Sequence, residues 1–583
     1  MYRNLFLVVI LLLIISVGCT QPDKEHLHLK IIGTTDVHGS VFSYDFIEGE
    51  KSYGSLAALS GFLAETRKDD DTEVLLLDNG DLLQGDPSVY YYNYIDTTSR
   101  HLISEVLNFL KYDAATVGNH DIEPGHAVYD KLREDFNFPW MAANAIDKRT
   151  GEPYFEPYTV VEKGGLKIAV LGLITPSIPQ WLPERVYSNI EFEDMVTSAG
   201  RWVRTIEKRV NPDLMIGLFH TGQGETTHVE KQENAAYAIG REVNGLDYIF
   251  YGHDHNRNVK TIHNKHGKQV TLINAGPDAS YAASLDLDLM KAGEKLRIAN
   301  QEVSFVDLSN YKPTGSFKQK FTKYTADIQA YVDKKVTFLT EPISSRAALF
   351  GPSKWMQLIH ETQLFYTDAD LSLAAPLSMN ETLHRGTLTV GDLFKLYRFR
   401  NLLYTIELTG KEIDQYLEYS YNGWFTTMES SDDHLLKFQL DSIGHPVYSE
   451  DYGYPLLEGT FYNFDSGYGL DYTVDVSQPG GQRVFIYAVS GNREFNPDQT
   501  YRVAMNSYRA NGGGGHLTEG AGLTKKQIDR RIQRIEEQDV RFLIRRYISQ
   551  DDSLIINLHR NWQVKPAEWW KNSKSVDSLL LFE

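Results

Sequence analysis

The stretch IIGTTDVHG, residues 31–39, contains the pattern that decides the fold of the first half of this chain. An apolar run typical of a buried strand ends in a glycine-containing turn that carries an aspartate and a histidine. Four more apolar runs along the chain end in the same way. The clusters that follow them are Asp78-Asn79-Gly80-Asp81, Gly118-Asn119-His120-Asp121, His220-Thr221-Gly222 and Gly252-His253-Asp254-His255. The repetition predicts that several strands deliver polar side chains to one site.

The apolar runs and the segments between them indicate a layered α/β domain. Buried strands are expected at 29–32, 74–77, 114–117, 167–173, 214–219, 248–251 and 270–273. Helices are expected at 55–67, 99–110 and 192–209. Alternating strands and helices favour a sheet covered by helices, and in such sheets ligands collect at the carboxyl ends of the strands. We therefore expect the five polar clusters to meet in one crevice.

The side chains in these clusters are of the kinds that bind divalent metal ions. Asp, Asn and His suit hard or borderline ions such as Zn²⁺, Mn²⁺ or Mg²⁺, and their number is sufficient for two ions. Two ions about 3.5–4 Å apart can activate a hydroxide and hold the oxygens of a phosphoryl group. Asp81 is the natural candidate for a carboxylate that bridges the ions. The pattern thus predicts a two-metal hydrolase.

In chain order the clusters resemble the pattern of the calcineurin-like metallophosphoesterases, which runs D-x-H, G-D, G-N-H-[DE], H and G-H-x-H. The resemblance implies an α/β/β/α sandwich and two bound divalent ions (Zn, Mn, Co or Mg). It implies that Asp81 binds both ions. The full set of implied ligands is Asp36, His38, Asp81, Asn119, His220, His253 and His255.

The same resemblance implies the catalytic residues. His120, next to the ligand Asn119, would face the substrate and stabilise the transition state or protonate the leaving oxygen. Glu123 would orient His120. With these groups in place, a hydroxide between the two metal ions would attack phosphorus directly, without a covalent enzyme intermediate.

A change of composition after residue 312 predicts a second domain. Pro313 and Gly315 interrupt the pattern, and residues 317–335 carry apolar side chains near helical spacing. We expect a first domain at 28–312, a linker helix within 313–343 and a second, α+β domain at 344–583. One charged helix is expected at 525–549.

Three segments of the second half resemble the bacterial 5′-nucleotidase and 2′,3′-cyclic-nucleotide 2′-phosphodiesterase/3′-nucleotidase family. They are 375–377, 389–403 and the stretch NSYRANGGGG at 506–515, while FYNFD at 461–465 resembles the cyclic-phosphodiesterase branch. The resemblance implies that this domain binds the nucleotide, with the base stacked between two aromatic rings. The implied substrate contacts are Tyr462, Tyr508, Asn506 and, as a rival of Tyr462, Phe464.

One departure from the family bears on the substrate. The G-G-x-R segment of typical 5′-nucleotidases, whose arginine meets the substrate phosphate, has no clear counterpart, because residues 374–380 read AAPLSMN. This favours the cyclic-phosphodiesterase branch. It also leaves Arg385, Arg398 and Arg400 without an assigned role in phosphate binding.

The N-terminus and the charge predict the location and the size of the substrate. An apolar run follows Arg3, and small residues lead to Cys19, the single cysteine. Residues 1–19 therefore resemble a bacterial lipoprotein signal peptide with lipidation at Cys19, followed by a polar tether at 20–27. We expect a periplasmic or outer-membrane-associated lipoprotein, monomeric and bound to the membrane only through this anchor. The net charge of −20 disfavours nucleic-acid polymers and favours a small nucleotide.

These observations predict an exported dinuclear phosphoesterase that acts on nucleotides, foremost as a 2′,3′-cyclic-nucleotide 2′-phosphodiesterase/3′-nucleotidase. Alternatives of the same chemistry are a 5′-nucleotidase, a nucleotide-sugar hydrolase and a thiosulfate-ester hydrolase. An alternative of another class is a catalytically inactive surface binding lipoprotein.

Overall fold

The computed structural model describes residues 25–292, 295–449, 454–489 and 493–582. The predicted signal peptide, Cys19 and the first part of the tether lie outside these ranges. Within them, no helix is both long enough and apolar enough to cross a membrane. The first strand begins at Glu25, four residues before the apolar run predicted at 29–32, because residues 25–27 continue the antiparallel pairing with residues 289–291.

Two six-stranded sheets form the first part of the chain. The strands of this part are β1 (Glu25–Thr34), β2 (Thr72–Asp78), β3 (Ala114–Thr116), β4 (Trp140–Met141), β5 (Ala145–Asp147), β6 (Tyr158–Lys163), β7 (Leu166–Ile174), β8 (Ile190–Phe192), β9 (Leu214–His220), β10 (Tyr248–Tyr251), β11 (Asn258–His263), β12 (Gln269–Asn274), β13 (Tyr281–Ala292) and β14 (Lys295–Asp307). The sheet orders are β14-β13-β1-β2-β3-β4 and β11-β12-β10-β9-β7-β6. Strands β1 to β4 pair in parallel, as do β7, β9, β10 and β12. Their carboxyl ends therefore lie at one edge of each sheet.

Helices cover the outer faces of both sheets. They are α1 (Leu56–Thr66), α2 (Pro87–Tyr90), α3 (Leu102–Leu110), α4 (Asn119–Ile122), α5 (His126–Asp135), α6 (Ile178–Trp181), α7 (Met195–Val210) and α8 (Ala236–Glu242). An apolar layer between the sheets contains Ile31 and Leu77 from one sheet and Ile168 and Leu218 from the other. Two further apolar clusters join each sheet to its helices. The layers run helix, sheet, sheet, helix, which confirms the predicted α/β/β/α sandwich.

The helix α9 (Gly315–Val332) follows the last strand of these sheets, within the segment predicted as a linker helix. Thr314 caps its N-terminus by accepting a hydrogen bond from the backbone N–H of Phe317. Its apolar residues, among them Phe317 and Phe321, belong to the cluster that contains α1 and α3. The same cluster includes Val390 and Phe394, so the first and second parts of the chain share a buried contact.

The second part mixes helices with mainly antiparallel strands. Its strands are β15 (Lys335–Leu339), β16 (Ile343–Ser344), β17 (Leu371–Ala374), β18 (Thr382–Leu383), β19 (Gly386–Thr389), β20 (Leu402–Thr409), β21 (Ser466–Tyr468), β22 (Leu470–Asp475), β23 (Val484–Val489), β24 (Arg493–Glu494), β25 (Thr500–Asn506), β26 (Ile532–Asp539), β27 (Ser553–Leu554) and β28 (Trp562–Lys565). Its helices are α10 (Lys354–Tyr366), α11 (Val390–Leu396), α12 (Gly410–Trp424), α13 (Ser507–Ala510), α14 (Lys525–Arg531), α15 (Val540–Ile548) and α16 (Ala567–Phe582). The central sheet has the order β21-β17-β25-β20-β26.

The prediction of one charged helix at 525–549 is wrong. Strand β26 separates α14 from α15 and pairs with β20, where Tyr404 lies opposite Ile535 and Ile406 opposite Ile532. These two isoleucines pack against the apolar core of the second part. Pairing with an open sheet edge therefore overrides the helix propensity of the sequence RIQRIEEQ, and Asp539 then caps the start of α15.

Candidate active site

The loops at the carboxyl ends of β1, β2, β3, β9 and β10 bring all seven predicted ligands together. The donor atoms form two groups, and within each group they lie within 4.8 Å of one another. The groups are Asp36, His38 and His255, and Asp81, His220 and His253. Asn119 joins the second group through its Oδ1, which lies 3.0 Å from His220 Nε2. Convergence at strand ends is the arrangement that the sequence pattern predicted.

Ring nitrogens of the histidines point into the site. His38 Nδ1 and His220 Nδ1 contact the backbone carbonyls of Gln84 and Asn79 at 3.2 and 2.7 Å. A carbonyl can only accept, so both Nδ1 atoms carry a proton, and Nε2 is the nitrogen through which each ring, in its neutral form, can bind a cation. His38 Nε2 lies 3.0 Å from His255 Nε2, and His220 Nε2 lies 3.2 Å from Asp81 Oδ2. The Nδ1 of His253 is buried and has no hydrogen-bond partner among the described residues.

Such a set of donors fits divalent cations. Imidazole nitrogens and carboxylate oxygens converge in both groups, and the set contains no thiolate. Nitrogen and oxygen ligands of this kind suit Zn²⁺, Mn²⁺ or Mg²⁺. The buried Nδ1 of His253 is the kind of orphaned atom that a metal ion would satisfy. The residues present therefore fit the metal ions that the resemblance implies.

Five of the seven residues adopt the left-handed backbone conformation that favours glycine. Their φ values lie between 50° and 71°, and they are Asp36, His38, Asp81, His253 and His255. Each such residue costs roughly 1–2 kcal/mol relative to the right-handed region. Strained residues of this kind persist where the surrounding structure determines them, and they concentrate at functional sites.

Two glycines allow the ligand loops to approach closely. A Cβ on Gly118 would lie 2.2 Å from Asp81 Oδ1. A Cβ on Gly252 would lie 2.0 Å from Thr35 Oγ1 and 2.5 Å from Asp36 Oδ2. No larger residue fits at either position without displacing a ligand.

Buried carboxylates beneath the site hold the ligand loops. Asp121 accepts hydrogen bonds from the backbone N–H groups of Gly118, Asp81, Leu82 and Leu83 at 2.8–3.1 Å. Burial, together with the nearby charge of Asp81, raises the pKa of Asp121 to about 7. These four bonds fix the turn that carries Asp81.

The predicted His120–Glu123 pair is formed. His120 Nδ1 lies 2.8 Å from Glu123 Oε2, and the His120 ring lies 5.5 Å from the ring of His38. The backbone N–H of His120 donates to Asp81 Oδ1 at 2.7 Å. Burial lowers the pKa of His120, but the carboxylates of Asp81 and Glu123 outweigh burial and raise the pKa to about 9. The imidazole is thus held at the edge of both donor groups.

In the second part, two of the predicted base contacts present a ring surface. Tyr462 is 37 % exposed, and half-buried Tyr508 packs its ring against Gly513. Arg509 joins the segments that carry these tyrosines: it makes a two-point contact with Asp465 at 2.8 and 3.1 Å and donates to the carbonyl of Tyr462 at 2.7 Å.

The prediction that Phe464 rivals Tyr462 for the base requires correction. Phe464 is 1 % exposed and stacks on Trp424 at 5.4 Å between ring centroids. Both faces of its ring belong to the core, so no base can stack on it. Asn506 is buried as well, and its side-chain oxygen caps α13 through the N–H of Arg509.

Three residues near the site make contacts there that the sequence does not predict. Trp181 lies with its ring 5.6 Å from that of His253, and Glu233 Oε1 lies 3.1 Å from His253 Nε2. Arg400 donates to the backbone carbonyl of Glu123 at 3.4 Å. They reach the site through contacts between distant segments, which no local pattern reveals.

Both parts of the chain match known protein families. The calcineurin-like phosphoesterase family matches residues 29–257, and the 5′-nucleotidase C-terminal domain family matches residues 332–519. These matches confirm both family resemblances found in the sequence. Among solved structures, a putative 5′-nucleotidase from Staphylococcus aureus superposes with a TM-score of 0.74 at 20% identity, over 92% of this chain and 99% of that one.

Two curated bacterial proteins are similar over nearly the whole chain. The trifunctional nucleotide phosphoesterase protein YfkN of Bacillus subtilis is 25% identical over 94% of this chain, which spans only 39% of that relative's length. A 2′,3′-cyclic-nucleotide 2′-phosphodiesterase/3′-nucleotidase of Haemophilus influenzae is 24% identical over 93% of this chain and 88% of its own length.

Proposed function

We propose that this chain, a hydrolase that belongs to the calcineurin-like phosphoesterases and carries a 5′-nucleotidase C-terminal domain, cleaves phosphate esters of nucleotides with two divalent metal ions. We further propose that 2′,3′-cyclic nucleotides and 3′-nucleotides are its preferred substrates. The observation that carries the proposal is the pair of adjacent donor groups, one around Asp36 and the other around His220.

The proposed residue roles follow from this geometry. Asp36, His38 and His255 would hold one ion; Asn119, His220 and His253 would hold the other. Asp81 would contact both, since its Oδ2 lies 3.2 Å from His220 Nε2 and its charge also acts on His38. When bound, the two ions supply an activated water and offset the charge of the phosphoryl oxygens.

His120 would carry the proton-transfer step. Glu123 binds Nδ1 of His120, so the imidazole can present Nε2 to the leaving oxygen of the ester. An imidazolium at this position donates its proton to the alkoxide as the P–O bond breaks. The Glu123 carboxylate beside Nδ1 favours the protonated imidazole that this step needs.

Two observations support a nucleotide as the substrate. Tyr462 and Tyr508 present rings in the part of the chain that matches the 5′-nucleotidase C-terminal domain. Base stacking on such rings contributes about 1–3 kcal/mol with little dependence on the base. Several similar proteins are named 2′,3′-cyclic-nucleotide 2′-phosphodiesterase/3′-nucleotidase, which supports the cyclic preference.

A substrate and metal panel tests the proposal. The purified chain would be incubated with Mn²⁺, Co²⁺, Zn²⁺ or Mg²⁺ and with 2′,3′-cyclic AMP, 3′-AMP, 5′-AMP and UDP-glucose. We expect fastest turnover of cyclic AMP and 3′-AMP and loss of activity in EDTA. Faster turnover of 5′-AMP would establish the 5′-nucleotidase alternative, and absence of hydrolysis with every metal would favour an inactive binding lipoprotein.

The proposed location is outside the cytoplasm, on a lipid anchor at Cys19. Its support is the sequence alone, namely the apolar run that ends in the single cysteine. Labelled palmitate fed to cells that express the full chain should be incorporated into the wild type but not into Cys19→Ser. Labelling of both proteins, or of neither, would contradict lipidation at this residue.

We also propose that the protein is a monomer, which gel filtration with light scattering would check.

A further inference from the structure

Arg400 reaches from the second part of the chain to the His120–Glu123 pair of the first. It lies between α11 and β20, and its Nη1 donates to the backbone carbonyl of Glu123 at 3.4 Å. The guanidinium lies over the ring of Tyr94, 4.2 Å from its centroid. Both Glu123 and Tyr94 are in the first part of the chain. The contact therefore exists only while the two parts are docked.

Two unsatisfied polar atoms border the same small cavity. Glu123 uses Oε2 for His120, while its Oε1 is buried without a hydrogen-bond partner among the described residues. The Nε of Arg400 is likewise buried and without a partner there. Both residues line one cavity of about 10 Å³. That volume is close to the minimum that holds a single water molecule.

The chemistry of these two atoms is complementary. Glu123 Oε1 needs a donor and Arg400 Nε–H needs an acceptor, and a buried polar group left unpaired costs about 1–3 kcal/mol. Arg541, a buried arginine that lines the same cavity, already donates to the carbonyls of Tyr397 and Arg398 in its own part of the chain. Arg400 is therefore the arginine available to Glu123.

We infer that Arg400 is a positioning residue: its Nε–H binds Glu123 Oε1 through one water in this cavity and thereby fixes the carboxylate that orients His120. The inference rests on the proposed function. It makes the geometry of His120 depend on docking of the second part of the chain. Substrate bound to the second part and proton transfer in the first are then linked through one side chain.

A double-mutant cycle tests this role. The variants Arg400→Ala, Glu123→Gln and their combination would be assayed on bis-p-nitrophenyl phosphate with Mn²⁺, a substrate without a nucleobase. We expect each single variant to lower kcat about 10–100-fold, the usual effect of removing a partner of a site residue. KM should change less than about threefold, and the double variant should be no slower than the slower single variant.

Two further variants separate positioning from structural support. Arg400→Lys keeps the charge but removes Nε–H, so it should lower kcat nearly as much as Arg400→Ala while leaving the thermal unfolding midpoint close to that of the wild type. Lys395→Gln is the matched control, because Lys395 Nζ pairs with Glu48 at 2.6 Å across the same boundary without contacting Glu123. It should leave kcat unchanged.

The outcomes distinguish the two proposals. Multiplying effects of Arg400→Ala and Glu123→Gln, or full activity in Arg400→Lys, would overturn the role of Arg400 while leaving the phosphoesterase intact. A wild-type protein that hydrolyses neither the chromogenic ester nor any nucleotide of the substrate panel with any of the four metals would reject the proposed function itself.

Discussion

The two parts of the chain hold their candidate functional residues in different ways. In the first part, five proposed ligands lie in the left-handed region, glycines admit the ligand loops, and a buried aspartate fixes the turn beneath them. In the second part, neither Tyr462 nor Tyr508 has a positive φ, and one arginine–aspartate pair joins their segments. Metal chemistry needs donor atoms at fixed points, whereas stacking on a base tolerates small shifts of a ring. Backbone strain is therefore found at the proposed metal ligands and not at the two tyrosines.

The largest effect should come from removing a charge in the first part. Asp81→Asn keeps the shape of the side chain but removes the charge that acts on both donor groups. We expect kcat with Mn²⁺ to fall about 10³-fold or more, because several kcal/mol of transition-state stabilisation depend on the ions. Steady-state kinetics and metal content by mass spectrometry would measure this. Asp147→Asn, which breaks a local pair with Arg149, is the control and should keep full activity.

A second comparison adds one methyl group to a glycine in each part of the chain. Gly252→Ala places a Cβ against Thr35 and Asp36, so we expect about 1–3 kcal/mol of destabilisation and weaker metal binding. Gly423→Ala on α12 meets no atom within 4 Å and should stabilise by about 0.5–1 kcal/mol. Denaturant unfolding of both variants measures the difference. Equal responses would show that the ligand loops are not closely packed.

Removal of the Tyr508 ring should change the affinity for the nucleotide rather than the turnover rate. Tyr508→Ala removes about 1–3 kcal/mol of stacking, so the KM for 2′,3′-cyclic AMP should rise roughly 5- to 150-fold. Hydrolysis of bis-p-nitrophenyl phosphate should not change, and Tyr508→Phe should resemble the wild type with both substrates. A loss of kcat on the ester without a base would remove Tyr508 from the base pocket.

The smallest effect concerns stability far from the metal site. A hydrogen bond to buried Asp577 raises the pKa of His434 above its ordinary value. The contribution of the His434–Asp577 pair to the free energy of unfolding is therefore complete below the unfolded-state pKa of His434, about 6.5. It is lost as the pH rises through the folded-state pKa. Because His434 is partly exposed, we expect less than about 1 kcal/mol between wild type and His434→Gln. Thermal unfolding at pH 5.5 and 8.5 should show the difference only at the lower pH.

The first part of the fold could be predicted because its information is local. Five of the seven predicted strands end in a cluster such as Gly118-Asn119-His120-Asp121, where a change from apolar to polar residues marks the strand end and also supplies the ligands. The seven strands and three helices expected there are all present. Sheet topology places the clusters together without further information.

The remaining features depend on contacts between distant segments. Phe464 and Tyr462 look equally suited to stacking in the sequence, and only packing on Trp424 shows that Phe464 is core. Residues 532–539 have a helical composition, but pairing with β20 makes them a strand. Arg400 meets Glu123 across 277 positions of chain. A local sequence pattern does not predict contacts of this kind.

The left-handed ligands have a consequence for metal exchange. Folding has already supplied the free energy that holds five side chains in an unfavourable conformation, several kcal/mol in total. A cation entering such a rigid cage needs little rearrangement, so ions of similar size should replace one another without unfolding the loops. We expect the identity of the bound ion to depend on which ions the surrounding medium supplies. The protein should recover activity quickly once a chelator is washed away and a divalent metal is added back.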